Sequence, residues 1–285
     1  MHIIAATDFS TGSHRALRRA GQFARQLNAT LTLLHVVDGK LDAPDAQFEC
    51  ADAERILHEH IEVMPELSGV TCKAMVRIGD VDESIQQAAE TLSAGLIVMG
   101  AHRKPSLSDA FLGTPIERVV RTSRTPVLMV RRASEHMHYR AVLAGVDMSD
   151  HAARAIRVAR GLRLVDDGNL TIVHAFVPLA KGKLYVAAAG QEQIDDYVAT
   201  ERHQTMSELS AFLMQHKLDE PRWSSVVEEG DAFPVLQKLA AETHADLVVI
   251  GTHGRSPFVK AVLGSVAEQA LGGLDTDVLA VPPVR

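Results

Sequence analysis

Hydrophobic positions alternate between two periodicities along the whole chain. Short β-branched and aliphatic runs read as strands: Ile3 to Ala6, Leu31 to Val37, Val70 to Ile78, Leu96 to Met99 and Val127 to Val130. Between them the apolar residues recur at helical spacing. Ala16, Ala20, Phe23 and Leu27 mark one side of a helix able to lie against a sheet. Further helices are expected from about Ala46 to Met64, from Gly79-Asp80 to about Leu92, and from Thr114. After a polar connector, Arg131 to His138, the series restarts. Its strands are Ala141 to Val146, Leu170 to Val177, Trp223 to Val227, Leu247 to Ile250 and Val278 to Val281, with helices over Ala152 to Leu164, Phe233 to Thr243 and Val266 to Leu271. Leu184 to Lys217 is expected to be a flexible Ala/Gly loop and then a long helix from about Gln191. Strands and helices alternating across short loops require a parallel sheet covered on both faces, because each crossover lays its helix on a face.

The restart is a repeat. Gly100, Gly113, Glu117, Val127 and Leu128 correspond to Gly251, Gly264, Glu268, Val278 and Leu279 at a constant offset of 151 residues. Towards the N-terminus, Asp8 and His35 match Asp147 and His174 at an offset of 139. The change of offset places a net insertion of 12 residues in the second half, between His174 and Gly230. A chain of 285 residues accommodates two domains, read here as residues 1–132 and 138–285. Each is expected to be an open, doubly wound α/β domain with a parallel five-stranded sheet.

Candidate chemistry concentrates between Asp246 and Glu268. The run Leu247 to Ile250 ends on Gly251, Gly254 follows, and Gly264 and Ser265 open a helical segment. This is the pattern of a phosphate cradle: glycines let the main chain approach an anion and take positive φ, while the amides of a helix start and the Ser265 hydroxyl supply donors. The lysine of a P-loop and the compact Gly-x-Gly-x-x-Gly are both absent. Turns and caps alone would also use these glycines. In the first half Gly100, Gly113 and Thr114 keep the spacing, but Arg103 stands where the second half has Gly254.

Gly251, Gly254, Gly264 and Ser265, with two and then nine residues between the glycines, resemble the nucleotide-binding signature of the universal stress protein family. The resemblance covers nearly the whole chain, with the motif intact only in the second half. It implies strand order 3-2-1-4-5, which sets the ends of strands one and four side by side, where doubly wound sheets bind ligands. Carried over, Asp147 would contact the nucleoside, the backbone of Ala175 would meet adenine, and Gly145 would approach the ribose. Gly251 and Gly254 would admit the ribose and inner phosphates, and Gly264, Ser265 and the amide of Val266 would hold the outer ones. Arg255 and Lys260 are available to neutralise phosphate or to face solvent. Asp147 and Ser149 also suit a simple helix cap. The weaker first-half positions are Asp8, Val36, Gly100, Arg103, Gly113 and Thr114. There a left-handed backbone at Arg103 would cost on the order of 1–2 kcal/mol and its side chain would compete for the groove, so little or no ATP binding is expected. Arg103 contacting a phosphate is the contrary reading. Pairing of the two fifth strands as an internal pseudo-dimer is also implied, with a homodimer left open.

The expected ligand is an adenine nucleotide, ATP, with Mg²⁺ carried on the triphosphate, since no carboxylate cluster announces a dedicated metal site. The expected role is a non-catalytic sensor or regulator whose protein partner the sequence does not name. His253 is the only titratable group in the loop able to act as a base, and persistence of its counterpart His102 in the altered half suits a structural role. Slow ATP hydrolysis, and a protein-interaction module without nucleotide, are the competing readings. A net charge of -7 excludes a general nucleic-acid binder, and Arg154, Arg157, Arg160 and Arg163 read as a solvated helix flank. No apolar segment approaches the ~20 residues that span a bilayer, and Met1 runs straight into a strand, so a cytoplasmic protein is expected, without membrane contact. Cys50 and Cys72 lack metal-site spacing and read as idle thiols, and His136 and His138 as polar linker.

Overall fold

The computed structural model describes residues 1–101, 113–132, 138–166, 168–254 and 263–283. The first half runs β1 (His2–Ala6), α1 (Thr11–Leu27), β2 (Thr30–Asp38), α2 (Ala43–Val63), β3 (Cys72–Gly79), α3 (Val81–Thr91), β4 (Leu96–Gly100), α4 (Pro115–Thr122) and β5 (Val127–Val130). The second runs β6 (Val142–Gly145), α5 (Asp150–Gly161), β7 (Leu170–Phe176), α6 (Lys181–Val186), α7 (Gln191–Gln215), β8 (Ser224–Glu229), α8 (Ala232–Glu242), β9 (Leu247–Gly251), α9 (Ser265–Gly273) and β10 (Asp277–Val281).

Within each half the strands pair in parallel in the order 3-2-1-4-5, as the resemblance implied. The two five-stranded arrays are nevertheless one sheet of ten strands, β3-β2-β1-β4-β5-β10-β9-β6-β7-β8. They join where β5 and β10 run antiparallel, with Leu279 opposite Leu128 and Val278 opposite Met129. The fifth strands thereby satisfy each other's ladder hydrogen bonds, which an exposed edge would leave open.

Side chains on a strand alternate between faces. Ile3 accordingly belongs to one buried cluster, with Leu17 of α1, Leu57 of α2, Ile156 of α5 and Phe212 of α7. Ile4 belongs to the opposite cluster, with Ile85 of α3, Val119 of α4, Leu236 of α8 and Ala270 of α9. Each cluster runs through both halves, so the apolar layers are continuous across the β5–β10 seam.

Beside that seam lies a buried polar cluster. Asp277 opens β10; its Oδ1 accepts from the amides of Arg131 (2.8 Å) and Arg132 (3.2 Å), and its Oδ2 accepts from the Tyr139 hydroxyl (2.8 Å). The Arg19 guanidinium of α1 lies 3.9 Å from the same Oδ2 and 4.5 Å from the Tyr139 ring centre. Arg131 extends the cluster: its carbonyl accepts from Arg15 (3.1 Å) and its guanidinium donates to the Leu271 carbonyl of α9 (2.8 Å). In the repeat, the positions matching Asp277 and Arg19 are Pro126 and Val158, so the cluster exists once, on one side of the pseudo-twofold.

Two expectations are corrected. The Ala/Gly stretch is not simply loop, because Lys181–Val186 forms a short helix held by the Lys181–Glu229 ion pair (2.5 Å) and by Tyr197, whose hydroxyl accepts from the Ala180 amide (3.1 Å). That helix buries none of its residues, which is why apolar periodicity gave no sign of it. The arginine stripe is not uniformly solvated, since Arg154 donates to the Pro282 carbonyl (2.9 Å) and Arg160 pairs with Glu220 (2.7 Å). The pairing of the two fifth strands that the resemblance implied is present, and it makes the two five-stranded arrays one continuous sheet. Cys50 and Cys72 are free thiols, and His138 meets the Gln26 amide at 3.3 Å, while His136 lies outside the described residues. Among the described residues no helix is long and apolar enough to cross a membrane.

Replacing Asp277 with alanine strips a phenol and two amides of their shared acceptor and the buried Arg19 guanidinium of a nearby opposite charge, and a loss of about 3–5 kcal/mol in unfolding free energy is expected at neutral pH. Burial raises the Asp277 carboxyl above its ordinary value, against lowering by the hydrogen bonds and by Arg19. A raised native pKa contributes stability that is complete below the unfolded carboxylate value, about 3.9, and is withdrawn as pH rises through the native value. The difference between wild type and Asp277→Ala is therefore larger in acid than at neutrality, as denaturant titrations at the two pH values would show.

Candidate functional site

The strand order determines where a cleft opens. β6 and β9 are parallel neighbours, with Gly145 opposite Ile250, and their carboxyl ends stop side by side. The chain leaves β6 for α5 on one face and β9 for α9 on the other, so the ends are left uncovered. A cavity of about 170 Å³ lies there. Gly145 and Asp147 come to it from the end of β6, and Ala175 from β7. Gly251 and Gly254 come from the end of β9, and Gly264, Ser265 and Val266 from the start of α9. All eight second-half positions singled out in the sequence thus line one cavity, with Val173, Leu236 and Ile250 as its apolar floor. His253 also lines it, while Arg255 and Lys260 lie outside the described residues.

The glycines are required for a different reason from the one expected. Gly251, Gly254 and Gly264 are not left-handed; Gly113 is, at φ +80°. What constrains Gly254 is proximity, because a Cβ there would lie 3.1 Å from Asp147 Oδ2. A Cβ on Gly264 would lie 3.2 Å from the Thr252 carbonyl oxygen, and one on Gly251 3.4 Å from the His151 backbone. The premise that Arg103 pays a left-handed penalty therefore has no support from Gly254, its counterpart. Arg103 itself, like His102, lies outside the described residues.

Asp147 serves the turn and faces the cleft. Its Oδ1 accepts from the Ser149 amide (3.1 Å) and hydroxyl (2.6 Å), and Ser149 in turn caps α5 by accepting from the Ala152 amide. Its Oδ2 is the oxygen directed towards Gly254. The oxygen that serves the turn is thus Oδ1, and the one on the Gly254 side is Oδ2. At the far end of the cleft, Gly264 is the N-cap of α9 and has no side chain to close it, so the first turn presents its amides beside the Ser265 hydroxyl. The His253 ring meets the Thr252 hydroxyl at 2.9 Å through Nδ1 and stands edge-on to His151. Among the described residues no group of three or more His, Cys, Asp or Glu could hold a metal ion.

The first half repeats the cleft on a smaller scale, about 140 Å³, between the ends of β1 and β4. Asp8, Val36 and Gly100 line it, but on the α4 side the wall is Pro115 and Ile116 rather than Gly113 and Thr114. Partial burial pushes the Asp8 carboxyl up, and hydrogen bonds from Ser10 and Ser13 more than offset this, holding it below the ordinary carboxylate value. Thr114 is committed elsewhere: it closes α4 in a reciprocal capping box, its amide donating to Glu117 Oε2 (2.8 Å) and its hydroxyl accepting from the Glu117 amide (3.4 Å). Pro115, in the place of Val266, has no amide hydrogen to offer. The Ser/Thr-x-x-Glu spacing occurs in both halves, at Thr114–Glu117 and at Ser265–Glu268, but the box is closed only at Thr114, so of the two helix starts it is Pro115 that the sequence alone marks as different.

These features define a tandem, doubly wound α/β protein with a cleft at the switch point of each half. The chain belongs to the universal stress protein family, whose model matches residues 1–131 and again 138–282. A universal stress protein E homolog of Haemophilus influenzae is 27% identical over 211 residues, covering 71% of this chain and 67% of that one. A universal stress protein of Mycolicibacterium smegmatis is 24% identical over 295 residues, covering 99% of this chain and 97% of its own. The crystal structure of a universal stress protein from Archaeoglobus fulgidus shares the fold at a TM-score of 0.68 and 19% identity, over 99% of this chain and 98% of that one.

The two β-end glycines differ in how tightly they are packed. A Cβ on Gly100 would fall 2.5 Å from the Gly12 backbone carbon of α1, against 3.4 Å for the nearest atom at Gly251. Gly100→Ala is expected to cost about 1–3 kcal/mol or more through overpacking, and Gly251→Ala clearly less, in parallel thermal or denaturant unfolding.

Proposed function

We propose that the second half, residues 138–285, is a nucleotide-binding domain that holds an adenine nucleotide, ATP, in the cleft between β6 and β9. Residues 1–132 form the companion domain. The observation that carries this reading is the convergence on one cavity of a close-approach glycine wall, the Asp147 carboxylate and the open start of α9. Asp147 accepts from the nucleoside through Oδ2, the Ala175 backbone meets the base, and Gly145 leaves room for the sugar. Gly251 and Gly254 admit the inner phosphates; Gly264, Ser265 and the Val266 amide hold the outer ones, aided by the helix dipole. Mg²⁺, where present, travels on the phosphates. The nucleotide is held without turnover, and occupancy biases the chain's affinity for a protein partner in the stress response, in the cytosol.

Mass spectrometry of ligand released from freshly purified protein tests the reading, with an adenine nucleotide expected. Calorimetric titration of stripped protein is expected to give one ATP equivalent per chain. Gly254→Arg drives a side chain into Asp147 and across the phosphate path, and should weaken ATP by at least about a hundredfold, roughly 2.7 kcal/mol. No adenine compound released and no heat on titration would overturn the proposal. Rapid single-turnover hydrolysis of labelled ATP would replace the binder with an enzyme.

A further inference from the structure

The first cleft is neither collapsed nor a copy of the second. Its framework is retained: His35 meets the Thr7 carbonyl through Nδ1 at 2.8 Å, as His174 meets Val146 at 2.7 Å. The turn residues Phe9 and Met148 share a left-handed backbone, φ 60° and 58°, and each is preceded by the aspartate at the cleft mouth. Bulkier lining at Ala6, Val36 and Ile116, where the second half has Gly145, Ala175 and Ala267, accompanies the modest fall in volume from about 170 to about 140 Å³. A cavity with an apolar body and hydroxyls at Thr7, Ser10 and Ser13 remains.

The phosphate end is where the halves part. Gly113 is left-handed and Gly264 is extended, so the chain enters the two helices along different paths. The amide matching that of Ser265 already donates to Glu117, and the amide matching that of Val266 is replaced by the Pro115 ring. The Glu117 carboxylate now occupies the helix start, where a phosphate would need to lie. Arg118, beside the same helix start, is itself engaged, donating to the Gly113 carbonyl (3.2 Å) and to Asp82 (3.2 Å). A phosphate brought to this helix start meets the Glu117 carboxylate, an amide already used and a proline ring, whereas a ligand without phosphate needs none of those donors.

We propose that the first cleft is a second small-molecule site that takes a phosphate-free, uncharged nucleoside and excludes nucleoside polyphosphates. The inference rests on reading the second cleft as a nucleotide site, because it assigns the two ends of the first by correspondence. One chain would then report two different metabolites at once, a nucleotide in one half and its dephosphorylated relative in the other.

Calorimetry on the full chain, stripped of ligand, tests this with ATP and adenosine as probes. Wild type should bind one ATP equivalent, and the ATP-saturated protein should then take one equivalent of adenosine. Val36→Phe fills the first cleft from a half-buried position and should weaken that adenosine by at least about tenfold while leaving the ATP equivalent intact. Pro115→Val with Glu117→Ala, in an Arg103→Gly background, restores the donors, removes the carboxylate and should add a second ATP equivalent. Two ATP equivalents in wild type, no adenosine uptake by the ATP-saturated protein, or no ATP gained by the reopened variant would each overturn the inference. If wild type takes adenosine sensitive to Val36→Phe but no ATP at all, the reading of the second cleft falls while the first site stands.

Discussion

The parallel pairing of β6 with β9 is the constraint from which the site follows. Four consecutive register pairs, Val142–Leu247 to Gly145–Ile250, hold the two carboxyl ends level. The crossovers that leave them go to opposite faces, because a right-handed connection on either side of a switch point has nowhere else to go. Asp147 stands two residues beyond β6 and Gly254 three beyond β9, and Ser265 opens the next helix. The chemistry is local to loop ends, but the scaffold that brings those ends together is the buried sheet, with Val248, Leu279 and Ile97 essentially without solvent exposure.

The two halves share this scaffold and diverge in their helix starts. A helix start is a set of donors that must be used by something. In α4 they are used by the chain's own Thr114 and Glu117, which stabilises the helix and removes the donors from the cleft. In α9 the N-cap is a glycine, which contributes nothing to closing the turn and leaves the donors to the solvent or a ligand. Thr114 and Pro115 in place of Ser265 and Val266 thus accompany a helix start closed by its own side chains in one half and one without a side-chain cap in the other.

Strands and helices were legible because each buries a face, and burial imposes a period. The repeat was legible because corresponding residues keep two constant offsets. Strand order was not, since nothing in the run Leu247 to Ile250 says which strand lies beside it; the family resemblance supplied that adjacency. The glycine positions were found by spacing, but the reason for Gly254 was not, because proximity of the Asp147 carboxylate is a property of space and not of sequence. The Arg19–Tyr139–Asp277 cluster was invisible for the same reason: its members are more than a hundred residues apart and each alone looks like an ordinary surface residue. The short helix Lys181–Val186 escaped because it has no buried face to read.

The seam between β5 and β10 has a consequence for how the molecule behaves on dilution. In the family resemblance, the fifth-strand edge is the surface through which separate chains meet. Here that edge is consumed inside one polypeptide, so the union of the halves is intramolecular and does not depend on how much protein is present. The partners are also permanently unlike, one carrying the finished helix start and the other the open one. A homodimer built on this edge would be obliged to keep two identical clefts; a covalent tandem is free to hold one of each kind at a fixed one-to-one ratio.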